Sequence, residues 1–148
     1  MNSSPSAMET FFRNHERNNN SGAISPLISQ FADVFMVGGA QGAQVVEANA
    51  FALAVPKRIK QFDDMGWQST ELVSLHETTL NGRYTMVDTR WRMTFASEDQ
   101  PPEEIQADST FIVYTGGEEP KIVMYLSHSD ALATLANRRR GMVSEKSS

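Results

Sequence analysis

The sequence contains no cysteine and only three histidines in 148 residues. Disulfides, cysteine nucleophiles and thiolate metal sites are therefore excluded. No two of the histidines, His15, His76 and His128, have the i, i+4 spacing with which a helix presents a pair of ligands to a metal. We therefore expect neither a metal site nor another cofactor.

Basic residues are also scarce, and long apolar runs are missing. The chain has 13 Lys and Arg against 18 Asp and Glu, and this balance disfavours a nucleic-acid partner, because phosphate binding depends on clustered positive charge. No apolar run approaches the roughly 20 residues of a membrane helix, and the opening residues lack the basic and apolar pattern of a secretion signal. We expect a soluble, cytoplasmic protein with no membrane partner.

The strongest local signal in the sequence is a hairpin from Gln68 to Phe95 that turns at Asn81-Gly82. Asn and Gly tolerate the positive φ of a two-residue type I′ turn, and the flanking runs are rich in β-branched and aromatic residues. That turn sets the register. It pairs His76 with Val87, Ser74 with Thr89 and Leu72 with Trp91 on an inward face that also holds Met93 and Phe95. It places on the outward face the pairs Glu77–Met86, Leu75–Asp88, Val73–Arg90 and Glu71–Arg92.

The remaining elements follow from helical spacing, turn residues and strand alternation. The apolar stripe Met8, Phe11, Phe12 and His15 predicts a first helix that ends at Asn18 to Gly22. The other predicted elements are a second helix capped by Ser25 that stops near Asp33, short strands at Val34–Val37 and Gln44–Glu47, a third helix over Ala48–Met65 that Pro56 kinks or restarts, a second hairpin from Ile105–Thr115 and Lys121–His128, and a short last helix over Ala131–Asn137.

Three helices followed by four long antiparallel strands predict an α+β domain with its helices on one face of a curved sheet. We expect a disordered N-terminus over residues 1–7, one domain over residues 8–137 and a polar tail over residues 138–148. Three segments carry a resemblance to a known family: F-A-D-V at Phe31–Val34, V-D-T-R-W-R-M-T-F at Val87–Phe95, and K-I-V-M-Y-L-S-H-S-D at Lys121–Asp130. The chain resembles the nuclear transport factor 2-like superfamily and, within it, the SnoaL-like small bacterial domains.

The resemblance implies a cystatin-like α+β cone, with the N-terminal helices packed in the concave face of a curved antiparallel sheet around an interior that holds a ligand. Strand alternation predicts which side chains reach that interior. On the second hairpin the inward set is Ala107, Ser109, Phe111 and Val113. On the last strand it is Ile122, Met124, Leu126 and His128, although His128 faces outward if the loop before it differs in length. The predicted pocket lining comprises Ser74, Thr89, Trp91, Met93, Phe95, Phe111 and Met124.

The resemblance permits several functions. One is binding of a small, largely apolar, neutral or weakly acidic organic molecule, which His76 orients. An isomerase, dehydratase or cyclase would instead use His76 or His128 as general acid/base, assisted by Asp33. A structural or assembly module would need no catalysis at all.

Each of the singled-out residues also has a plainer interpretation. His76 and His128 can be hydrogen-bonded histidines of the core or rim, Asp33 can be a solvated carboxylate at a helix end, and His15 fits a packed, hydrogen-bonded core residue. The resemblance further implies a homodimer through the convex sheet face. The residues predicted for that interface are Tyr84, Met86, Arg90, Arg92, Ile112, Tyr114 and Tyr125.

Overall fold

The computed structural model describes the backbone of residues 6–146 and the side chains of residues 6–141. The predicted disorder of residues 1–7 therefore falls mostly outside the described residues. Within these residues four helices and six strands follow one another. They are α1 (Ala7–Ser21), α2 (Ile24–Ile28), β1 (Phe31–Gly39), β2 (Gly42–Glu47), α3 (Ala48–Asp64), β3 (Trp67–Thr79), β4 (Tyr84–Ser97), β5 (Gln100–Tyr114), β6 (Lys121–Ser127) and α4 (Ala131–Lys146).

The first helix forms as predicted. Ser6 accepts a hydrogen bond from the Glu9 N–H at its start, and Gly22 ends it in the left-handed conformation with φ 67°. The second helix is shorter than predicted and begins before Ser25, so Ser25 lies inside it and caps nothing. In α3, Pro56 lies inside one continuous helix of 17 residues and does not start a new segment.

The six strands form one curved, open sheet in the order β2-β1-β6-β5-β4-β3, with the helices against its concave side. This arrangement confirms the predicted α+β fold. Neighbouring strands run antiparallel, except that β1 and β6 are parallel. The sequence does not predict this parallel pair, because the two strands are far apart in the chain and local patterning carries no information on their pairing.

The interior side chains of the two long hairpins pack into two clusters. The larger lies between α1 and the middle of the sheet and contains Phe12, Trp91, Phe111 and Val113 among others. The smaller lies under α4 and consists of Met93, Phe95, Ile105, Ala131 and Leu135. Trp91 is 5% exposed and faces inward, as predicted.

The outer half of the β3–β4 hairpin departs from the predicted register by one residue. Asn81 and Gly82 have no positive φ, so no type I′ turn forms. Instead the Asn81 side chain accepts hydrogen bonds from the backbone N–H groups of Arg83 and Tyr84, in a longer loop. A bulge at Val73 then restores the predicted pairs Leu72–Trp91 and Glu71–Arg92. Between the loop and the bulge the facing of the β3 side chains is reversed, whereas β4 keeps the predicted facing, with Val87 and Thr89 buried.

A second irregularity changes the facing of the last strand. Ile122 lies opposite Val113 and points inward as predicted, but the register shifts by one residue just after it. Tyr125 therefore lies opposite Phe111 on the inner face, with ring centroids 5.0 Å apart. The predicted inward facing of Met124 and Leu126 is wrong, since they lie opposite Ile112 and Thr110.

The last helix is longer than predicted. Hydrogen bonds and an ion pair hold it at its start and at Arg139. The Asp130 carboxylate accepts from the Ala133 N–H, which confirms the predicted cap. Arg139 pairs with the mostly buried Glu103 at 3.1 Å and donates to the Ala96 carbonyl. No helix in the described part of the chain combines the length and apolarity that crossing a membrane requires.

Candidate functional site

A buried histidine on α1 is the most unusual polar group of the interior. His15 is 7% exposed, and its ring centroid lies 5.6 to 6.1 Å from the rings of Phe12, Phe31, Trp91 and Phe111. Burial lowers the pKa of His15 to about 4, against the opposing effect of a hydrogen bond from its side chain to Gln30. The ring is therefore uncharged at neutral pH. The structure confirms the interpretation of His15 as a buried, hydrogen-bonded residue.

Gln30 holds His15 in place from the short connection between α2 and β1. Its Oε1 lies 3.0 Å from His15 Nδ1 and also accepts from Asn18 Nδ2, while its Nε2 donates to the Phe11 carbonyl. Gln30 is itself 8% exposed. These contacts join α1 to the start of the sheet through a buried polar network. Both ends of the Gln30 amide are hydrogen-bonded to groups of α1.

A second polar group of the interior lies on the strands. Trp91 Nε1 donates to Thr89 Oγ1 at 2.7 Å, and Thr89 Oγ1 donates to the Ser109 carbonyl at 3.0 Å. Thr89 and Ser109 are both buried. The indole N–H is thus satisfied within the sheet, and the Trp91 ring is held in a fixed orientation beside His15.

Five of the seven residues predicted to line a pocket face the interior. Thr89, Trp91 and Phe111 lie in the region around His15, whereas Met93 and Phe95 belong to the smaller cluster under α4. The other two predictions of facing are wrong. Ser74 lies opposite Arg90 and is exposed because the loop after β3 is one residue longer than predicted, and Met124 faces outward because of the shift in β6.

The three candidate catalytic residues lie outside this interior. His76 is exposed opposite Asp88, and Asp33 is exposed on β1, which begins before it. His128 lies on the outer face of the sheet, the alternative that its loop left open. The predicted inward facing of His76 is therefore wrong, for the register reason given above. Whether any of the three acts in catalysis stays a prediction.

A chain of hydrogen bonds crosses the outer face of the sheet. It runs from Asp88 on β4 through Thr110 on β5 to His128, which directly follows β6. Thr110 Oγ1 donates to Asp88 Oδ1 at 2.6 Å and lies 2.7 Å from His128 Nε2. The chain satisfies Thr110, which is 6% exposed despite its outward facing. No group of three metal-ligating side chains occurs within the described residues, here or elsewhere.

An apolar row crosses the same outer face beside this polar chain. Its members are direct cross-strand neighbours on five adjacent strands: Val45, Met36, Met124, Ile112 and Met86. Val45 is 68% exposed and Met36 is 38% exposed. Tyr84 and Tyr114 pair nearby with ring centroids 5.2 Å apart, but Tyr125, predicted for this face, points inward.

A cleft of about 450 Å³ opens at the surface between the end of α3 and the start of α4. Its floor is continuous with the smaller core cluster through Met65 and Leu132. None of the predicted site residues lines it. The lining consists of Gln61, Asp64, Met65, Leu132, Ala133 and Ala136.

The sequence identified His15 but missed its role as a polar centre. The helical stripe places His15 beside Phe11 and Phe12, and that spacing predicts burial. The partner, Gln30, lies in a segment predicted to be helical, and no local pattern connects it to position 15. The sequence does hold one signal for this pair: His15 and Gln30 each stand beside apolar residues that belong to the core.

Comparison with known proteins identifies the fold. The chain aligns with the protein Aln2 from a Streptomyces species over 90% of its own length and 99% of that chain, at 12% identity and a TM-score of 0.69. A cystatin-like, NTF2-like protein from Novosphingobium aromaticivorans matches at 10% identity and a TM-score of 0.68, over 86% of this chain and 85% of that one.

The β subunit of benzoate 1,2-dioxygenase from Burkholderia mallei matches at 15% identity and a TM-score of 0.63. That alignment covers 86% of this chain and 92% of the subunit. No family model and no curated protein matches the sequence. At such low identities these likenesses establish the architecture and leave the activity open.

Proposed function

We propose that this chain, which has the nuclear transport factor 2-like fold, is a small-molecule-binding domain whose ligand lies between the helices and the concave face of the sheet. One observation carries the proposal: an uncharged histidine is buried among four aromatic rings in the interior of the domain. Aromatic walls with a few fixed polar groups are typical of ligand sites.

The cost of burying that histidine supports a role beyond stability. A polar group in an apolar interior is unfavourable unless it is paired, and an apolar side chain of similar size fills such a position with less desolvation. Gln30 satisfies only one nitrogen of the His15 ring. A ligand that hydrogen-bonds to the other nitrogen would give the buried imidazole a function, because a phenylalanine at this position could not form that bond.

The buried polar groups also restrict the ligand's charge. Among the described residues those on the inner side of the sheet are His15, Gln30, Thr89 and Ser109, and none of them is a carboxylate, Lys or Arg. A charged ligand would lose its hydration without gaining an ionic partner. We therefore expect a small, largely apolar molecule that is neutral or only weakly acidic.

Ligand-observed NMR with a library of neutral aromatic fragments tests this function. Hits should also change the tryptophan fluorescence, to which Trp91 contributes, and raise the melting temperature, because a ligand that binds only the folded state stabilises it. The variant Ser109→Phe should abolish these effects by filling the interior, whereas His76→Ala, on the outer face, should leave them unchanged. Absence of any hit from such a library would contradict the proposal.

A second candidate, an assembly module, is favoured by the apolar row on the outer face. Cross-strand neighbours that expose Val45 and Met36 to solvent form a patch of the kind that marks protein interfaces. We propose that a second copy of this chain covers it, around the apolar row and the Tyr84–Tyr114 pair. An isologous dimer of this type places the same patch on both subunits.

Light scattering distinguishes this assembly from a monomer of 16.5 kDa. The wild type should give twice that mass at micromolar concentration, and Met36→Lys together with Val45→Lys should reduce it to the monomer. The matched control is Leu53→Lys on α3, which changes a residue that is 77% exposed and lies away from the sheet face. A monomeric wild type, or dissociation by the control as well, would refute the interface.

A further inference from the structure

The hydrogen bonds around Gln30 determine which nitrogen of His15 carries the proton. Gln30 Nε2 donates to the Phe11 carbonyl at 3.1 Å, and its Oε1 accepts from Asn18 Nδ2 at 3.2 Å. Exchanging the oxygen and nitrogen of this amide would place donor against donor and acceptor against acceptor. The orientation of the amide is therefore fixed by its neighbours.

With Gln30 Oε1 fixed as an acceptor, His15 Nδ1 must be the donor in the 3.0 Å contact between them. A neutral imidazole carries one proton, so Nε2 presents a bare lone pair. The low pKa keeps the ring in this form throughout the physiological range, since it reaches half protonation only near pH 4. His15 is thus an acceptor toward anything that approaches Nε2.

That lone pair makes no hydrogen bond to any described residue. Yet no fully buried side-chain nitrogen or oxygen in residues 6–141 lacks a partner. His15 itself keeps 7% of its surface exposed, so a water molecule reaches part of this residue. The aromatic rings around His15 are hydrocarbon surfaces that offer no conventional N–H or O–H donor, and the one indole N–H, that of Trp91, is already given to Thr89.

We infer that the ligand is a flat, neutral molecule of the phenol type whose hydroxyl group donates a hydrogen bond to His15 Nε2. The inference rests on the proposed binding function and defines the ligand class for the same site. A carboxylate or phosphate would meet a lone pair with no buried cation beside it, and would be repelled. A purely apolar molecule would leave the buried nitrogen without a partner. The surrounding rings select an aromatic body through stacking and edge contacts.

A pair of probes with one shape tests the inference. The compounds p-cresol and p-xylene differ only by a hydroxyl in place of a methyl group. In NMR titrations we expect p-cresol to bind the wild type at least about tenfold more tightly than p-xylene, the effect of one buried hydrogen bond. In His15→Phe the preference should fall to within about threefold. The control His76→Ala should keep the full preference.

A spectroscopic measurement on the wild type makes the test independent of how His15→Phe folds. In protein labelled with ¹⁵N at histidine, the ring nitrogens of His15 should show the neutral form protonated on Nδ1. Addition of p-cresol should shift the Nε2 resonance, and addition of p-xylene should not.

The possible outcomes separate the inference from the function on which it rests. Equal binding of both probes, or a proton found on Nε2, would overturn the hydroxyl contact while the binding function stands. If neither probe nor any fragment binds and the Nε2 resonance never moves, only water reaches His15, and both the inference and the proposed function fail.

Discussion

The side chain of Asn20 meets both backbone hydrogen-bonding groups of Thr70. Its Oδ1 accepts from the Thr70 N–H at 2.8 Å, and its Nδ2 donates to the Thr70 carbonyl at 2.7 Å. Glu16, one turn earlier on α1, accepts from the Leu72 N–H, and Arg13, about two turns earlier, donates to the Leu72 carbonyl. Because β3 is an edge strand, these contacts act in place of a neighbouring strand and block pairing with another chain.

Replacing Asn20 with alanine should therefore weaken the attachment of α1 to β3. Two hydrogen bonds to a partly solvated edge are lost, so we expect the free energy of unfolding to fall by about 1 to 2 kcal/mol in urea titrations. The control is Asn19→Ala, whose side chain bonds only the His15 carbonyl within its own helix. If both variants lose equal stability, the edge contacts contribute nothing of their own.

The buried imidazole predicts how stability depends on pH. The pKa of His15 is about 4 in the folded state and about 6.5 when unfolded, so the unfolded state binds more protons between these values. Stability contributed by the neutral ring is complete above about pH 6.5 and is lost as the pH falls toward 4. Between pH 7 and pH 4.5 the loss from His15 amounts to about 2 to 3 kcal/mol.

The measurement for this prediction is urea unfolding of the wild type and His15→Gln at both pH values. Carboxylates titrate in the two proteins alike, so the difference between their pH dependences isolates His15. We expect the variant to be the less pH-sensitive protein between pH 7 and pH 4.5. Identical pH profiles would mean that the imidazole is protonated or solvated in the folded state.

Gly66 joins α3 to β3 at a place where no other residue fits. Its φ is +91°, and an added Cβ would lie 2.7 Å from the Ala96 carbonyl oxygen. Gly66→Ala should cost about 3 kcal/mol, the sum of backbone strain and this contact. Gly42→Ala is the control, because φ there is +113° but nothing lies within 4 Å of the added carbon. Comparable losses in chemical denaturation would show that the contact relaxes freely.

Arg139 anchors the last helix to the end of β4, through Ala96, and to the start of β5, through Glu103. It pairs with Glu103, whose side chain is only 14% exposed, and Arg139→Ala leaves that carboxylate without its partner. We expect a stability loss of about 1 to 2 kcal/mol and faster amide exchange in α4. Arg140→Ala, which removes only a contact to Asn137 in the same helix, should have little effect. The double variant with Glu103→Gln should lose less than the sum of the single changes.

The sequence by itself determined the helices that carry strong local signals and the interior face of β4. Gly22 ends α1 because a left-handed residue is needed there, and the alternation from Val87 to Phe95 places every second side chain in the core. Both results depend on residues within a few positions of one another. For the same reason the burial of His15 followed from its helical spacing.

Only the tertiary structure decided which side of the sheet holds His76, Ser74, Met124 and Tyr125. A loop one residue longer than expected reverses His76 and Ser74, and a register shift in β6 reverses Met124 and Tyr125. Such irregularities depend on contacts made by several strands together. The pairing of His15 with Gln30 likewise requires α1 and the start of β1 to be packed together. Such a pairing contributes free energy only after the two segments have packed together, so the local pattern around either residue does not predict it.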